Sequence, residues 1–195
     1  VNIAQYDLLI ASLTESIQLE EEERDSQDKT QFRIHLINAT ILVGDIKRFT
    51  TLMEQYASDP ALVMQAAQRV FDVMNEEIHR NYGQLEKIAG DAIMAYWPGD
   101  DSRPEASMHA YQACITALQL KKLANQLSFN SKYWPFHNFP LMLDLALATG
   151  PVATGALGHS NANPALLGDT ANLVFRLEKL IGDDREGDIV VEGVT

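Results

Sequence analysis

A long amphipathic helix between two groups of strand-like runs sets the architecture that this chain can adopt. Eight apolar residues recur at the spacing of one helix face: Leu62, Val63, Ala66, Ala67, Val70, Phe71, Met74 and Ile78. Pro60 stands where a helix commonly begins, and Gly83 stands just after the stripe ends. A helix with one apolar face must bury it against another layer, so we expect the neighbouring segments to supply a sheet.

Strand signals occur on both sides of this helix. Ile34 to Val43 is an apolar, β-branched run that ends in Gly44-Asp45, and a second pair of runs flanks the tight turn Gly90-Asp91. The predicted strands are residues 34–43, 84–89, 92–97, 140–148, 152–158 and 188–192, and the further predicted helices are one marked by Met108, Tyr111, Ile115 and Leu118 and one over residues 170–180. The order βα(α)ββαββαβ predicts an α+β sandwich in which helices cover one sheet.

The acidic charge of the chain is concentrated near its two ends. The 195 residues carry a formal net charge of −12, of which residues 1–31 contribute −6 and residues 183–192 contribute −4. An acidic total argues against binding a polyanion such as a nucleic acid, yet the nearly balanced body can still bind an anionic ligand. The single cysteine excludes an internal disulfide framework and a cysteine-rich zinc site.

The sequence lacks the marks of a membrane-spanning or secreted chain. No apolar run approaches the roughly 18 residues that a membrane span needs. The sequence starts without Met and without a basic-then-apolar leader. We therefore expect a cytoplasmic domain of a longer protein, which could be attached to a membrane through another segment.

Residues 1–31 are predicted to form a helical linker before a single domain over residues 32–195. Five apolar residues recur at the spacing of two coiled-coil heptads: Ile3, Tyr6, Ile10, Leu13 and Ile17. Two interpretations remain open. The segment is either a solvated helix with an acidic linker or a signalling helix that joins an upstream sensor to the domain.

The loop after the first predicted strand is the first of three candidate sites. Asp45 ends an apolar strand, and Ile46-Lys47-Arg48-Phe49-Thr50 then opens a helix. An acid in this position can cap the helix, or it can hold a cation while the backbone N–H groups of the loop meet phosphate oxygens. The sequence alone leaves both interpretations open.

The other two candidate sites each contain a Gly-Asp pair. Asp91 lies at the tip of the predicted hairpin, and Lys87 lies four residues earlier in an otherwise apolar strand, where a buried lysine would need a partner. Asn172 and Arg176, after Gly168-Asp169, share one helix face and form either a solvated surface or a polar clamp. Two acids that suit a hard cation, together with a Lys and an Arg, fit metal-assisted chemistry at a nucleotide phosphate.

Four short motifs, in order along the chain, resemble the catalytic domain of class III adenylyl and guanylyl cyclases. They are residues 43–50 around Asp45, residues 87–95 around Asp91, residues 149–152 followed by Gly155, and residues 167–172 followed by Arg176. The resemblance runs from about Ile41 to Thr195. It implies a ferredoxin-like βαββαβ core with extra helices and strands. The given sequence stops before the C-terminal strands and the Lys-bearing phosphate loop that are typical of the family.

The resemblance also implies how the catalytic residues act. Asp45 and Asp91, helped by the backbone of Ile46, would bind two divalent ions per site, Mg²⁺ or Mn²⁺. These ions would activate the ribose 3′-hydroxyl of ATP and neutralise the α-phosphate. Asn172 would orient the ribose and Arg176 would stabilise charge on the α-phosphate, both from the partner chain of a head-to-tail homodimer.

The residues expected to contact the substrate leave the choice of base open. Lys87 stands where adenylyl cyclases of this family have Lys and guanylyl cyclases have Glu, which favours ATP. The position that usually supplies its partner is Ala165, which has no side-chain acceptor for the adenine amino group, and a Lys donor could also meet guanine O6. Phe49 and Thr50 are expected to contact the same substrate.

Three functions remain in comparison. The favoured one is an adenylate cyclase, a lyase that forms 3′,5′-cyclic AMP and pyrophosphate. The alternatives are a guanylate or mixed-selectivity cyclase, and a catalytically idle dimerisation or nucleotide-binding module. The idle module is disfavoured because Asp45, Asp91, Asn172 and Arg176 are intact. It stays in the comparison because Ala165 departs from the family pattern and because the given sequence stops before the family's C-terminal segment. Further departures are Arg48, Asp144 and Ala148, which replace a customary Gly, Arg and His. A diguanylate-type cyclase lacks support because no Gly-Gly-Asp/Glu-Glu-Phe segment occurs.

Overall fold

The computed structural model describes residues 34–99, 108–155, 165–182, 187–193 and 195. In these segments the elements follow the order βααββαββαβ. The strands are β1 (His35–Ile46), β2 (Gln84–Ala89), β3 (Ala92–Pro98), β4 (Leu143–Gly155), β5 (Ala165–Leu167) and β6 (Ile189–Val191), and the helices are α1 (Phe49–Gln55), α2 (Pro60–Arg80), α3 (His109–Ser128) and α4 (Asp169–Glu178). The coil predicted within residues 1–31 lies outside the described residues.

One mixed sheet organises the described part of the chain. Its strand order is β2-β3-β1-β4-β5, and β6 pairs with β4 in parallel, whereas the other pairs are antiparallel. β1 lies at the centre because it pairs on one side with β3 and on the other with β4. Val43, for example, lies between Met94 and Ala146. A mixed sheet covered by helices confirms the predicted α+β class.

The two faces of the sheet support separate hydrophobic cores. The larger core packs α1, α2 and α3 against one face and includes Leu42 and Trp134. The smaller core lies under α4 on the other face and includes Ile41, Val43 and Val174. Ile41, Leu42 and Val43 alternate between the two cores because successive side chains of a strand point to opposite faces.

Local sequence explains where α2 begins and ends. The Asp59 side chain accepts a hydrogen bond from Leu62 N–H at 3.1 Å, and Pro60 occupies the first turn, where a backbone N–H has no helical partner. His79 and Arg80 lie in the last turn, where positive charge is favourable. Seven of the eight predicted stripe residues are buried, and Leu62 packs against the core from its edge. The predicted helix is therefore confirmed.

Within the described residues, the single strand β4 replaces the two strands predicted over residues 140–148 and 152–158, and residues 156–158 of the second lie outside the described part of the chain. The short strand β5 was not predicted. Residues 149–151 separate the two predicted strands, yet Gly150 and Pro151 continue the ladder opposite Ala39 and Asn38. Gly150 is needed for space instead, because a Cβ there would lie 2.6 Å from Thr170 Oγ1. This close approach places the start of α4 directly on β4.

α3 forms as predicted but buries a different face. Met108, Tyr111 and Leu118, three of the four residues that mark this helix in the sequence, are largely exposed. The buried face consists mainly of small residues: His109, Ala113, Thr116, Ala117, Leu120, Ala124 and Leu127. Small side chains let the helix approach the sheet closely, so they take the interior positions. None of the described helices is both long and apolar enough to cross a membrane.

Candidate functional site

Asp45 and Asp91 meet where the end of β1 contacts the β2–β3 turn. Asp45 pairs across the sheet with Ala92, the residue after Asp91, and Ile46 N–H donates to the backbone oxygen of Asp91 at 3.1 Å. Gly90 turns the chain with a φ of 67°, a left-handed conformation that glycine adopts at low cost. The structure therefore brings together the two acids that the sequence singled out.

Two further carboxylates raise the negative charge at this place. The pKa of Asp45 is raised to about 7, first by burial of its carboxyl and then by the charges of Asp91, Glu178 and Asp144. A hydrogen bond from the backbone of Ile46 opposes this rise. The pKa of Glu178 is also raised, by burial first and then by the charge of Asp144. Like charges held this close favour a bound cation, because a cation offsets their mutual repulsion.

Sequence reasoning did not place Asp144 and Glu178 beside Asp45. Asp144 lies directly opposite Asp45 on β4, and this register becomes visible only when the β1–β4 pairing is known. Glu178 ends α4 two residues after Arg176, so its position depends on how α4 crosses the sheet. The sequence signal for Glu178 was an acid two residues after Arg176, and the signal for Asp144 was an acid where the family customarily has Arg.

A buried ion pair holds Asp144 in place. Lys47 Nζ lies 3.1 Å from Asp144 Oδ2 and donates to the backbone oxygen of Gly182 at 3.0 Å. Asp144 Oδ1 accepts the backbone N–H of Asp188 at 3.2 Å. The Lys47 and Asp144 side chains are only 3% and 9% exposed. Asp144 is therefore engaged in the scaffold and does not stand free as a third metal ligand.

Asp45 and Asp91 have the donor chemistry that a divalent cation needs. Carboxylate oxygens are hard ligands, and Mg²⁺ commonly takes one or two carboxylates together with substrate phosphates. Within the described segments, no group of three or more His, Cys, Asp or Glu side chains is arranged to hold a metal ion by itself. The site therefore suits a cation whose coordination is completed by an anionic substrate.

Phe49 and Thr50 open α1 directly after the Asp45 loop. Arg48 adopts a left-handed φ of 58° and turns the chain from strand into helix. Phe49 is 8% exposed and packs in the larger core, whereas Thr50 is exposed. The packing of Phe49 explains the position of α1, and contact of either residue with a substrate stays a prediction.

Asn172 and Arg176 lie one turn apart on the exposed side of α4. The opposite side of the helix packs on the sheet through residues such as Val174. The contacts of the described residues join neither Asn172 nor Arg176 to Asp45 or Asp91. Both side chains are therefore available to a substrate or to a second protein chain.

Lys87 is not the buried lysine that the sequence suggested. Its side chain is 49% exposed, whereas that of the neighbouring Glu86 is only 6% exposed, and Lys87 Nζ lies 3.1 Å from Glu86 Oε2. The partner of Lys87 is thus Glu86 and not Asp91. Sequence reasoning missed Glu86, although an acid beside a lysine in an apolar strand was the available signal. Ala165 lies on β5, at the opposite end of the strand order from β2.

Comparison with known proteins assigns the fold to a family. A family model described as the adenylate and guanylate cyclase catalytic domain matches residues 35–191. Among solved structures, the guanylyl cyclase Cya2 matches with a TM-score of 0.69 at 20% identity, over 82% of this chain and 77% of that chain. This structural likeness supports the fold.

Curated relatives of both substrate classes match the chain. It is 28% identical over 142 residues to the receptor-type guanylate cyclase gcy-23 of Caenorhabditis elegans, which covers 72% of this chain and 12% of that protein. It is 29% identical over 140 residues to an adenylate cyclase of Mycobacterium tuberculosis, which covers 72% of this chain and 29% of that protein. The chain therefore spans less than a third of the length of either relative.

Proposed function

The chain belongs to the family of adenylate and guanylate cyclase catalytic domains, and from that premise we propose that it converts ATP into 3′,5′-cyclic AMP and pyrophosphate. The observation that carries the proposal is the convergence of Asp45 and Asp91 in a region of unbalanced negative charge. A triphosphate is itself strongly anionic, so cations must lie between it and these acids.

The proposed reaction is an intramolecular phosphoryl transfer. The ribose 3′-oxygen attacks the α-phosphorus, the bond from that phosphorus to the leaving pyrophosphate breaks, and the hydroxyl proton is lost. When bound here, two divalent ions, Mg²⁺ or Mn²⁺, supply the positive charge that favours the 3′-oxyanion and neutralises the phosphates. Asp45 and Asp91 hold that charge in position, with help from the backbone of Ile46.

Asn172 and Arg176 are proposed to complete the site from a second chain. Asn172 orients the ribose, and Arg176 stabilises the charge that builds on the α-phosphate. The exposure of both residues on α4 supports a role across the interface of a head-to-tail homodimer. Each dimer then contains two composite sites.

The base is proposed to be recognised mainly by Lys87. Its ammonium donates to adenine N1, while Ala165 offers no side-chain acceptor. Phe49 and Thr50, which open α1 directly after the loop that carries Asp45, are proposed to contact the same substrate. GTP is the second candidate, because a lysine donor also fits guanine O6 and because the relatives include a guanylate cyclase. We expect ATP to be preferred with modest discrimination.

Control by an upstream sensor domain, joined through residues 1–31, is proposed together with a cytoplasmic location. The curated relatives extend well beyond the aligned region, which supports a catalytic domain that works inside a larger protein. A short helical linker would carry the signal as a change in how two catalytic domains meet.

Product analysis tests the proposed function. The protein is incubated with ATP or GTP, each with Mg²⁺ or Mn²⁺, and the products are separated by mass spectrometry. We expect cyclic AMP, and we expect Asp45→Ala and Asp91→Ala each to retain less than about a tenth of wild-type turnover, because loss of a metal ligand costs several kcal/mol of transition-state stabilisation. Asp72→Ala on the exposed side of α2 is the matched control. Formation of no cyclic nucleotide from either triphosphate would leave the idle module as the better account.

A further inference from the structure

We propose that Glu86 is a positioning residue for base recognition: its buried carboxylate holds the Lys87 ammonium on the substrate side of the sheet, facing a hydrogen-bond acceptor of the base. The proposal rests on the cyclase function and deepens it. It adds a residue, Glu86, that acts on the base through Lys87.

A β-bulge at Glu86 determines which face Lys87 occupies. Leu85 pairs with Ala95 and Lys87 pairs with Met94, so β2 advances by two residues while β3 advances by one. Regular alternation would place Leu85 and Lys87 on the same face of the sheet. The extra residue instead moves Lys87 to the face of Met94, which belongs to the smaller core, while Ala95 belongs to the larger one.

Glu86 lies on the side of the smaller core as well. Its charge is the second cause, after burial, of the raised pKa of Tyr96, a residue of the smaller core. The Tyr96 hydroxyl also donates to Gln84 Oε1 at 2.7 Å. Both charges of the Glu86–Lys87 pair therefore face the side of the sheet that carries α4, on which Asn172 and Arg176 are exposed.

The unequal burial of the two side chains suits a fixed donor. The Glu86 side chain is 6% exposed and cannot move far, whereas the Lys87 side chain is 49% exposed. An ammonium has three N–H donors, so an interaction with Glu86 leaves donors for a ligand. A lysine that is held in place before the substrate arrives loses less conformational entropy on binding.

This arrangement presents donors, and not acceptors, to the base. Adenine offers N1 and guanine offers O6 as acceptors on the edge used in base pairing. Because the Glu86 carboxylate is buried, it acts on the base through Lys87. The atom that the site recognises is then the acceptor itself, and 1-deaza-ATP, which has C–H in place of N1 and keeps the 6-amino group, is the probe that removes it.

The test measures kcat/KM for ATP and 1-deaza-ATP in the wild type and four variants. We expect the wild type to prefer ATP by about ten-fold or more, the range expected for a hydrogen bond from a charged donor. Lys87→Met should bring that ratio close to one. Glu86→Gln should lower it to about three-fold or less, chiefly through KM for ATP with little change in kcat. Glu76→Gln, the same change at an exposed position on α2, should keep the wild-type ratio.

The outcomes separate this proposal from the proposed function. A wild type that is inactive with both ATP and GTP contradicts the cyclase function. If the wild type is active, any of three results overturns only the role of Glu86. Glu86→Gln could keep the full ratio, Glu86→Gln could lose activity equally on both nucleotides, or Lys87→Met could keep the ratio. Glu86→Asp retains the charge at a shorter reach, so we expect a ratio between those of wild type and Glu86→Gln. If Glu86→Gln does not fold, Glu86→Asp decides by the same criteria.

Discussion

Two lysine–carboxylate pairs of equal separation lie on this sheet and differ in what they leave available. Lys47 and Asp144 lie 3.1 Å apart with side chains 3% and 9% exposed, and Lys87 and Glu86 lie 3.1 Å apart with side chains 49% and 6% exposed. Distance alone would treat the pairs as equivalent. The exposure of the lysine shows that one pair belongs to the scaffold and that the other can meet a ligand.

The hydrogen bonds around each lysine explain the difference. Lys47 donates to Asp144 and to the backbone of Gly182, and Asp144 accepts from the backbone of Asp188, so this pair joins β1 to β4 and to the segments that follow α4. Taking two charges out of water is tolerated only when such additional hydrogen bonds satisfy them. Lys87 is half in water and needs no such set of partners.

The largest expected effect concerns the acids beside the scaffold pair and the arginine on α4. Asp45→Ala and Arg176→Ala should each be nearly inactive as homodimers. An equal mixture should recover about a quarter of wild-type activity, because half of the dimers are heterodimers and each of these has one intact site. A mixture of Asp45→Ala with Asp91→Ala is the control and should recover nothing, since both lesions affect the same half of the site. Failure of the first mixture despite demonstrated subunit exchange would place the whole site within one chain.

Breaking the two pairs should lower the free energy of unfolding by different amounts. Lys47→Met leaves Asp144 as an uncompensated buried charge and should lower the free energy of unfolding by about 3–5 kcal/mol. Lys87→Met also leaves a buried carboxylate, that of Glu86, but the lysine that it removes is half in water, so the loss should be smaller, about 1–3 kcal/mol. Lys47→Met combined with Asp144→Leu should regain much of the loss, because a packed apolar pair replaces the ions. Urea unfolding measures all three, and equal losses in the single variants would contradict the division drawn between the pairs.

The stability of the folded protein should also depend on pH through the Asp45 carboxyl, which lies beside the Lys47–Asp144 pair. Its pKa in the folded protein is about 7, above the ordinary value of 3.8, so it contributes stability that is complete below pH 3.8 and is lost as the pH rises through 7. Without divalent ions at pH 8.5, Asp45→Asn should therefore melt above the wild type by about 2–4 °C, the shift that 1 kcal/mol gives at this chain length. Asp72→Asn is the control. A lower melting temperature for Asp45→Asn would show that the carboxylate is not destabilising there.

The same titration predicts how added metal behaves. Mg²⁺ should raise the melting temperature of the wild type more at pH 8.5 than at pH 6, because protons compete with the ion for Asp45. Asp45→Asn should lose most of this response. An equal response to Mg²⁺ in both proteins would assign the ion to another position.

The smallest expected effect concerns the selectivity for the base, which is proposed to depend on Lys87. Ala165→Thr adds a hydroxyl at the position that usually supplies the partner of Lys87, and it should increase the preference for ATP over GTP by about three- to ten-fold, as one added hydrogen bond allows. The ratio of kcat/KM for the two triphosphates measures it. Ala165→Val, of similar shape without the hydroxyl, is the control. A wild type that strongly prefers GTP would overturn the choice of ATP.

Much of the fold could be predicted because its signals are local. The helix over residues 60–80 has a regular stripe with a proline and a cap at its start, and Asp45 and Asp91 stand at strand ends inside short motifs. Local signals failed where one residue type serves two purposes. Gly150 lies between two predicted strands but continues one strand and provides room for Thr170, and in α3 small residues take the interior positions in place of the larger apolar ones.

The site was less predictable because its remaining parts depend on register. The extra residue at Glu86 changes the face of Lys87, and no alternation pattern reveals such an insertion. Asp144 lies beside Asp45 because the two residues are opposite each other in the β1–β4 pairing. These contacts depend on the register between strands that are distant in sequence, so they cannot be predicted from local sequence patterns.

The central position of β1 in the sheet has a consequence for the synthesis of the protein on the ribosome. β1 is the first described element to be made, yet its partner β3 follows about fifty residues later and β4 about a hundred residues later. Until both have left the exit tunnel, an apolar strand with two open edges has no permanent neighbours, and such edges invite pairing with other nascent chains. Synthesis of this domain should therefore depend on chaperones that shield β1, and pausing between the codons for β3 and β4 should increase aggregation.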